Sequence, residues 1–180
     1  MKWELNNRKF LQFLKVVSWV LFIGLAIDTG SYIFNGFYVF FINDYAAKYF
    51  GLFDLYHADS GNYIVMLLFM TIVSLFKTLI FYTVIKMFNN EFIELKKPFT
   101  EHFVKLMSCI FYQILGIGIF SYWGSKYANW LSSNNIAMPT VDQLNLGGAD
   151  VWIFMAIVLL VINQILKRGV ELQNENILTI

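Results

Sequence analysis

Cysteine is all but missing from this chain: Cys109 is the only one in 180 residues. That excludes an intramolecular disulfide and any C-x-x-C redox or zinc motif, and with them the disulfide-shuttling class of small four-helix membrane enzymes. Cys109 lies in an apolar run and reads as a small buried side chain. Charge is scarce as well. Asp, Glu, Lys and Arg make up 14% of the residues, against about 25% in soluble domains. Too few charges are present to cover a surface that faces water on all sides. The net charge of +1 supplies no field to hold nucleic acid. Neither G-x-S-x-G, H-E-x-x-H nor a P-loop occurs, so no catalytic signature is present and the chain reads as non-enzymatic, with no cofactor and no metal.

What the sequence has instead is apolar length; 58% of its residues are hydrophobic. Four segments stand out, at roughly 10–35, 63–86, 102–122 and 150–168. About 20 residues at 1.5 Å each cross a hydrocarbon core of about 30 Å. The fourth is the shortest apolar run, so Asp150 and Lys167 must sit near the interfaces. Runs of this length satisfy their backbone in lipid as helices, and the alternation of an outer-membrane barrel is absent. The expectation is a single all-α domain, a polytopic membrane four-helix bundle. The basic N-terminus resembles a signal peptide, but the apolar stretch outruns an h-region and no A-x-A site follows, which predicts an uncleaved first helix.

Lys and Arg give the orientation. Lys2, Arg8, Lys9 and Lys15 lie at the N-terminal end, Lys86, Lys96, Lys97 and Lys105 around the middle loop, and Lys167 and Arg168 at the C-terminal end. The two other loops hold only Lys48 and Lys126. This bias predicts both termini and the middle loop in the cytoplasm. Residues 36–62 carry nine Phe and Tyr side chains from Phe37 to Tyr56, too many for a free loop, and predict an interfacial helix. Residues 123–149, with Trp123, Trp130, Gly147 and Gly148, read as more irregular.

Asp28 and Lys77 fall inside predicted spans, where a charge costs about 2.5–3.5 kcal/mol on insertion scales. Their neighbours suggest an inward face. Gly24, Asp28, Ser31 and Asn35 share one side of the first helix, and Thr71, Ser74, Lys77 and Thr78 form a stripe on the second. Cys109, Gln113 and Gly116 align on the third, and Asn163 matches their depth on the fourth. Asp28, Lys77, Gln113 and Asn163 are therefore either a mid-membrane site or structural glue. As glue, Asp28 would pair with Lys77 and Gln113 would bond Asn163. His57 with Asp54 and Asp59 is a weaker pattern, read as solvated, and His102 beside Glu101 reads as interfacial. Thr100 is a plausible N-cap after Pro98, with Glu101 in the first turn.

Two stretches carry a family resemblance. One is Lys97-Pro98-Phe99-Thr100 ahead of a helix with spaced polar positions. The other is the tail from Val170 to Ile180, ending Glu175-Asn176-Ile177-Leu178-Thr179-Ile180. With the four-span layout and the length, these resemble the DUF2975 family of small bacterial membrane proteins, whose members commonly finish E-N-D-L-T-I/V. This chain has Ile177 where the family usually has Asp. The resemblance implies a multi-pass protein of the bacterial inner membrane, in contact with the lipid bilayer. It also implies a partner, because family genes often lie beside small helix-turn-helix regulators. Docking at the cytoplasmic face would use Phe99, Thr100, Glu175, Asn176, Leu178 and Thr179. The expected role is a sensing, regulatory or immunity-like membrane component; the alternative is a small transporter or channel built on the intramembrane polar residues.

Overall fold

The structure, a computed structural model, describes residues 2–89 and 100–178, with side chains for residues 9–88 and 100–175. Every long element is a helix, and no strand occurs among the described residues. Helix α1 is Lys2–Phe41, α2 is Phe53–Ala58, α3 is Ser60–Asn89, α4 is Glu101–Ser133 and α5 is Ala149–Leu178; a 3-10 helix, Asp44–Phe50, lies between α1 and α2. Four of them, α1, α3, α4 and α5, are long and apolar enough to cross a membrane. Each carries its own backbone hydrogen bonds, which is what permits an apolar run to enter lipid at all.

Local sequence sets the helix starts. Thr100 is extended and its Oγ1 accepts from Phe103 N at 3.2 Å, so the expected N-cap of α4 is in place with Glu101 in its first turn. Asp59 caps α3, its Oδ1 accepting from Gly61 N at 2.7 Å and Asn62 N at 3.2 Å. Asn43 Oδ1 accepts from Tyr45 N at 2.8 Å and opens the 3-10 helix, which Gly51 closes at φ 68°.

The helices outrun the apolar segments. Helix α1 continues past 35 to Phe41, α4 past 122 to Ser133, and α5 past 168 to Leu178. The reason lies in how they pack. Among the long helices α1 lies on α3, α3 on α4, and α4 on α5, so they form an open row rather than a closed square. The start of α5 meets α4 halfway along: a Cβ on Gly118 would sit 2.7 Å from Ile153 Cγ1 and 3.5 Å from Ala149 O. Helix α4 runs on for about 22 Å beyond that point. Over that stretch it lies beside the start of α3, where Tyr127 OH donates to Asn62 Oδ1 at 2.7 Å, and α3 in turn holds the end of α1, where Tyr63 OH donates to Asn35 Oδ1 at 2.6 Å.

Three helix ends therefore project past the start of α5. The 3-10 helix, α2 and residues 134–148 fill in around them, and together they make a head. The largest buried cluster among the described residues is here: Tyr63, Met66 and Met70 of α3, Leu131 of α4, Ala47, Leu52 and Leu55 of the first connection and Leu144 and Leu146 of the second are all fully buried. The aromatic connection folds, as its composition predicted, but as the packed wall of this head: Phe50 lies 4.8 Å from Tyr32 and Tyr56 5.4 Å from Tyr63, ring centre to ring centre. Residues 123–133, read as irregular, are helical because packing against α3 replaces lipid as their stabilising contact. At the opposite end the shared core is thin, with Ile110, Ile114 and Ala156 at its centre.

Candidate functional site

Where the head meets the row of helices, the second connection dips between α1 and α5. Leu144 and Leu146 anchor it in the core, and Asn145 between them adopts a left-handed φ of 57° that turns its backbone inward. Asn145 then joins two helices. Its Nδ2 donates to Tyr32 OH on α1 at 2.6 Å, and its carbonyl oxygen accepts from Lys77 Nζ on α3 at 3.2 Å. The Trp152 ring of α5 lies 5.8 Å from the same Nζ, close enough for a cation–π contribution. Ser125 Oγ on α4 donates to Leu146 O at 3.0 Å. Helices α1, α3 and α4 are thus tied to the two loop residues Asn145 and Leu146, Trp152 of α5 lies against the same lysine, and Lys77 is the charged member of the tie.

Asp28 does not take the position expected of it. It is exposed on α1, near enough to act electrostatically on Lys77 and Tyr32 but without an ion pair within 4.0 Å among the described residues. Of the residues expected on the inward face of α1, Asn35 is buried there, but its companions are Thr29, Tyr32 and Val39 in place of Asp28 and Ser31. Gly24, expected on the inward face, has nothing within 4 Å of where a Cβ would be. Thr29 is the hub of the α1–α3 contact: its Oγ1 lies 2.8 Å from Ser74 Oγ and 3.0 Å from Thr78 Oγ1. The stripe on α3 was readable in the sequence. Its partner Thr29 was not, because a hydroxyl one position from a carboxylate draws no notice.

Gln113 and Asn163 are buried as expected but do not bond each other. Gln113 Nε2 donates to Thr83 Oγ1 of α3 at 3.3 Å, with Cys109 Sγ at 3.5 Å; Asn163 Nδ2 donates to Ser108 Oγ of α4 at 2.8 Å. Cys109 is itself exposed, not buried. Both amides follow one design. The hydroxyl they reach already donates to the carbonyl four residues back, Leu79 O for Thr83 and Val104 O for Ser108. That leaves the amide as donor and its own oxygen without one. Gln113 Oε1 and Asn163 Oδ1, with Ser121 Oγ, are buried and have no hydrogen-bond partner among the described residues. The expected four-residue cluster is therefore three separate contacts, Gln113 between α3 and α4, Asn163 between α4 and α5 and Lys77 at the head junction, with Asp28 in none of them.

Outside the spans, His57 Nε2 lies 3.1 Å from Asp44 Oδ2, an exposed pair; Asp54 does not join it, and Asp59 is occupied as a helix cap. Among the described residues no group of three His, Cys, Asp or Glu side chains is placed to hold a metal. Of the expected docking residues, Thr100 is the α4 cap and Glu175 is an exposed residue near the end of α5. Phe99, Thr179 and the side chains of Asn176 and Leu178 lie outside the described residues.

A family model described as a protein of unknown function, DUF2975, matches residues 45–180. No curated protein and no solved structure matches the chain.

Proposed function

From the premise that this chain belongs to the DUF2975 family, we propose that it is a non-enzymatic sensing or regulatory component of the bacterial cytoplasmic membrane. The head faces outward and the other ends of the helices face the cytoplasm, following the ten-to-two division of Lys and Arg between the two sides. A small helix-turn-helix regulator docks on the cytoplasmic side, through Phe99 and the tail that includes Glu175. The observation that carries this reading is the Lys77–Asn145 tie. A loop of the head is fastened to α3 by a cation–carbonyl bond, so a shift of the head is felt by the helix that leads to the middle loop. The intramembrane hydrogen bonds are spent within single helix interfaces rather than strung along a path, which favours a relay over a conduit.

Capture of the neighbouring regulator by the intact protein is the test. Capture should fall when residues 171–180 are deleted and when Phe99 is replaced by Ala. Unchanged capture in both would sink the docking scheme. A small transporter is the second reading, favoured by one observation, the exposed and unpaired Asp28. There, Lys77→Met in a folded protein would abolish a measured flux.

A further inference from the structure

The head carries more exposed apolar surface than a bilayer of ordinary thickness covers. On α1, exposed large hydrophobic side chains run from Phe10 to Phe41, a length of about 46 Å against a hydrocarbon core of about 30 Å. The other limit is α5, whose apolar stretch between Asp150 and Lys167 is only about 24 Å long. Helix α5 begins beside Gly118 and its first turn holds Asp150; because a charge is costly in hydrocarbon, we place the bilayer edge near that level on the head side. The last turns of α1 and the first turns of α3 stand beyond it.

Those turns enclose a groove of about 690 Å3, lined by Gly36, Phe37, Phe40, Phe41, Ile64 and Leu68 among others, within the size range of small-molecule sites, about 300–1,000 Å3. Gly36 makes its floor. A Cβ there would sit 2.9 Å from Leu67 Cδ2, so α1 and α3 approach closely at the bottom. The mouth is bare: Phe37 is 62% exposed, Phe41 80% and Leu68 53%. The two polar groups of the lining are already engaged. Thr71 Oγ1 donates to Leu67 O at 2.7 Å and Tyr32 OH accepts from Asn145 at 2.6 Å. Nothing in the groove calls for a polar ligand.

We infer that this groove holds an acyl chain of a membrane lipid, drawn up from the adjoining leaflet along the outer face of α1. The groove is continuous with the bilayer-facing surface. Ile23, Ile27, Phe34, Phe37 and Phe41 follow helical spacing and are all at least half exposed, so a chain moves from bilayer to groove without crossing a polar surface. An acyl chain is apolar, as the lining of the groove is. It covers aromatic surface that would otherwise face water, the condition under which large exposed apolar patches mark an interaction site. This lipid contact does not depend on a cytoplasmic partner.

The test uses full-length protein in phosphatidylcholine nanodiscs doped with a phosphatidylcholine that carries a diazirine at the end of one acyl chain. After irradiation, label should be found on residues 33–41 and 64–71. Leu68→Trp and Ile33→Trp fill the groove from its two walls; each should reduce that label about tenfold, equivalent to an affinity loss of one decade, while label on Phe154 and Ile157 of the α5 face stays unchanged. No label in the wild-type groove overturns the inference. So does label that neither variant reduces, or chain-to-chain crosslinking through Phe37 in place of lipid. Should a variant lose its α5 label too, it is misfolded. Native mass spectrometry of detergent-extracted wild-type protein then decides: a retained phospholipid supports the assignment and its absence refutes it.

Discussion

At Gly118 α4 packs directly against the backbone of α5, a contact that constrains their register. A methyl group there would lie 2.7 Å from Ile153 Cγ1 and 3.1 Å from Ile153 N. The first neighbour is a side-chain carbon that can turn aside; the second is backbone, which moves only if α5 moves. Replacing Gly by Ala in a helix gains about 1 kcal/mol of intrinsic propensity, while overpacking costs about 1–3 kcal/mol. Gly118→Ala should therefore lose about 1 kcal/mol net, and Gly118→Val, with two more carbons and no escape from the backbone contact, about 3 kcal/mol. Gly24 and Gly30 are internal controls, because nothing lies within 4 Å of a Cβ at either. Gly24→Ala and Gly30→Ala should be neutral or stabilising by up to about 1 kcal/mol. The assay is reversible unfolding of the full-length protein from mixed micelles, followed by tryptophan fluorescence, with Gly24→Val as the matched control for Gly118→Val. If Gly118→Val proves no worse than Gly24→Val, α4 and α5 do not meet in this register, and the placement of the head beyond the start of α5 falls with it.

Other perturbations separate the contacts that hold the molecule together. Leu146→Ala empties a fully buried site against Gly124 and should cost about 2–5 kcal/mol in the same assay; a cost near zero would mean that residues 141–148 are not packed in the core. Lys77→Met leaves Asn145 O without its donor and should cost about 1–3 kcal/mol, with hydrogen exchange rising first in residues 141–148. Asn163→Leu removes an amide whose oxygen is already unpartnered and leaves Ser108 bonded to Val104 O, so stability should change by less than about 1 kcal/mol; Thr29→Val loses the link to Ser74 and should cost about 1 kcal/mol.

The number of long helices was legible because apolar length and the helix are linked by the absence of water in lipid. The cap at Thr100 was legible because a hydroxyl before an acidic first turn is a local signal. The face of α1 was not. Both sides of a membrane helix are apolar, so polarity is the only cue, and Asp28 drew attention away from Thr29 and Tyr32, which make the contacts. Tyr32 and Tyr63 lie within the apolar segments and carry no sequence signal of their own, yet their hydroxyls are bonded inside the head. The head itself was hidden because its contacts join residues far apart in the chain: Asn145 reaches Tyr32 and Lys77 across more than sixty positions. The nearby signal was the Asn145-Leu146-Gly147-Gly148 run, read only as irregular. Its left-handed Asn145 and Gly148, at φ 57° and 72°, are what let a loop turn inward and hand over to a helix.

The head stands beyond the bilayer edge that α5 sets. Nitroxide labels placed singly along α4 from Tyr112 to Ser133, in a Cys109→Ser background and in lipid bilayers, measure that edge directly by their accessibility to oxygen and to a water-soluble nickel chelate. Oxygen should dominate at the exposed positions from Tyr112 to Ile119, and the chelate should dominate at Lys126 and Ser132. Oxygen dominance continuing unbroken to Ser132 would place the whole of α4 in lipid and contradict the account.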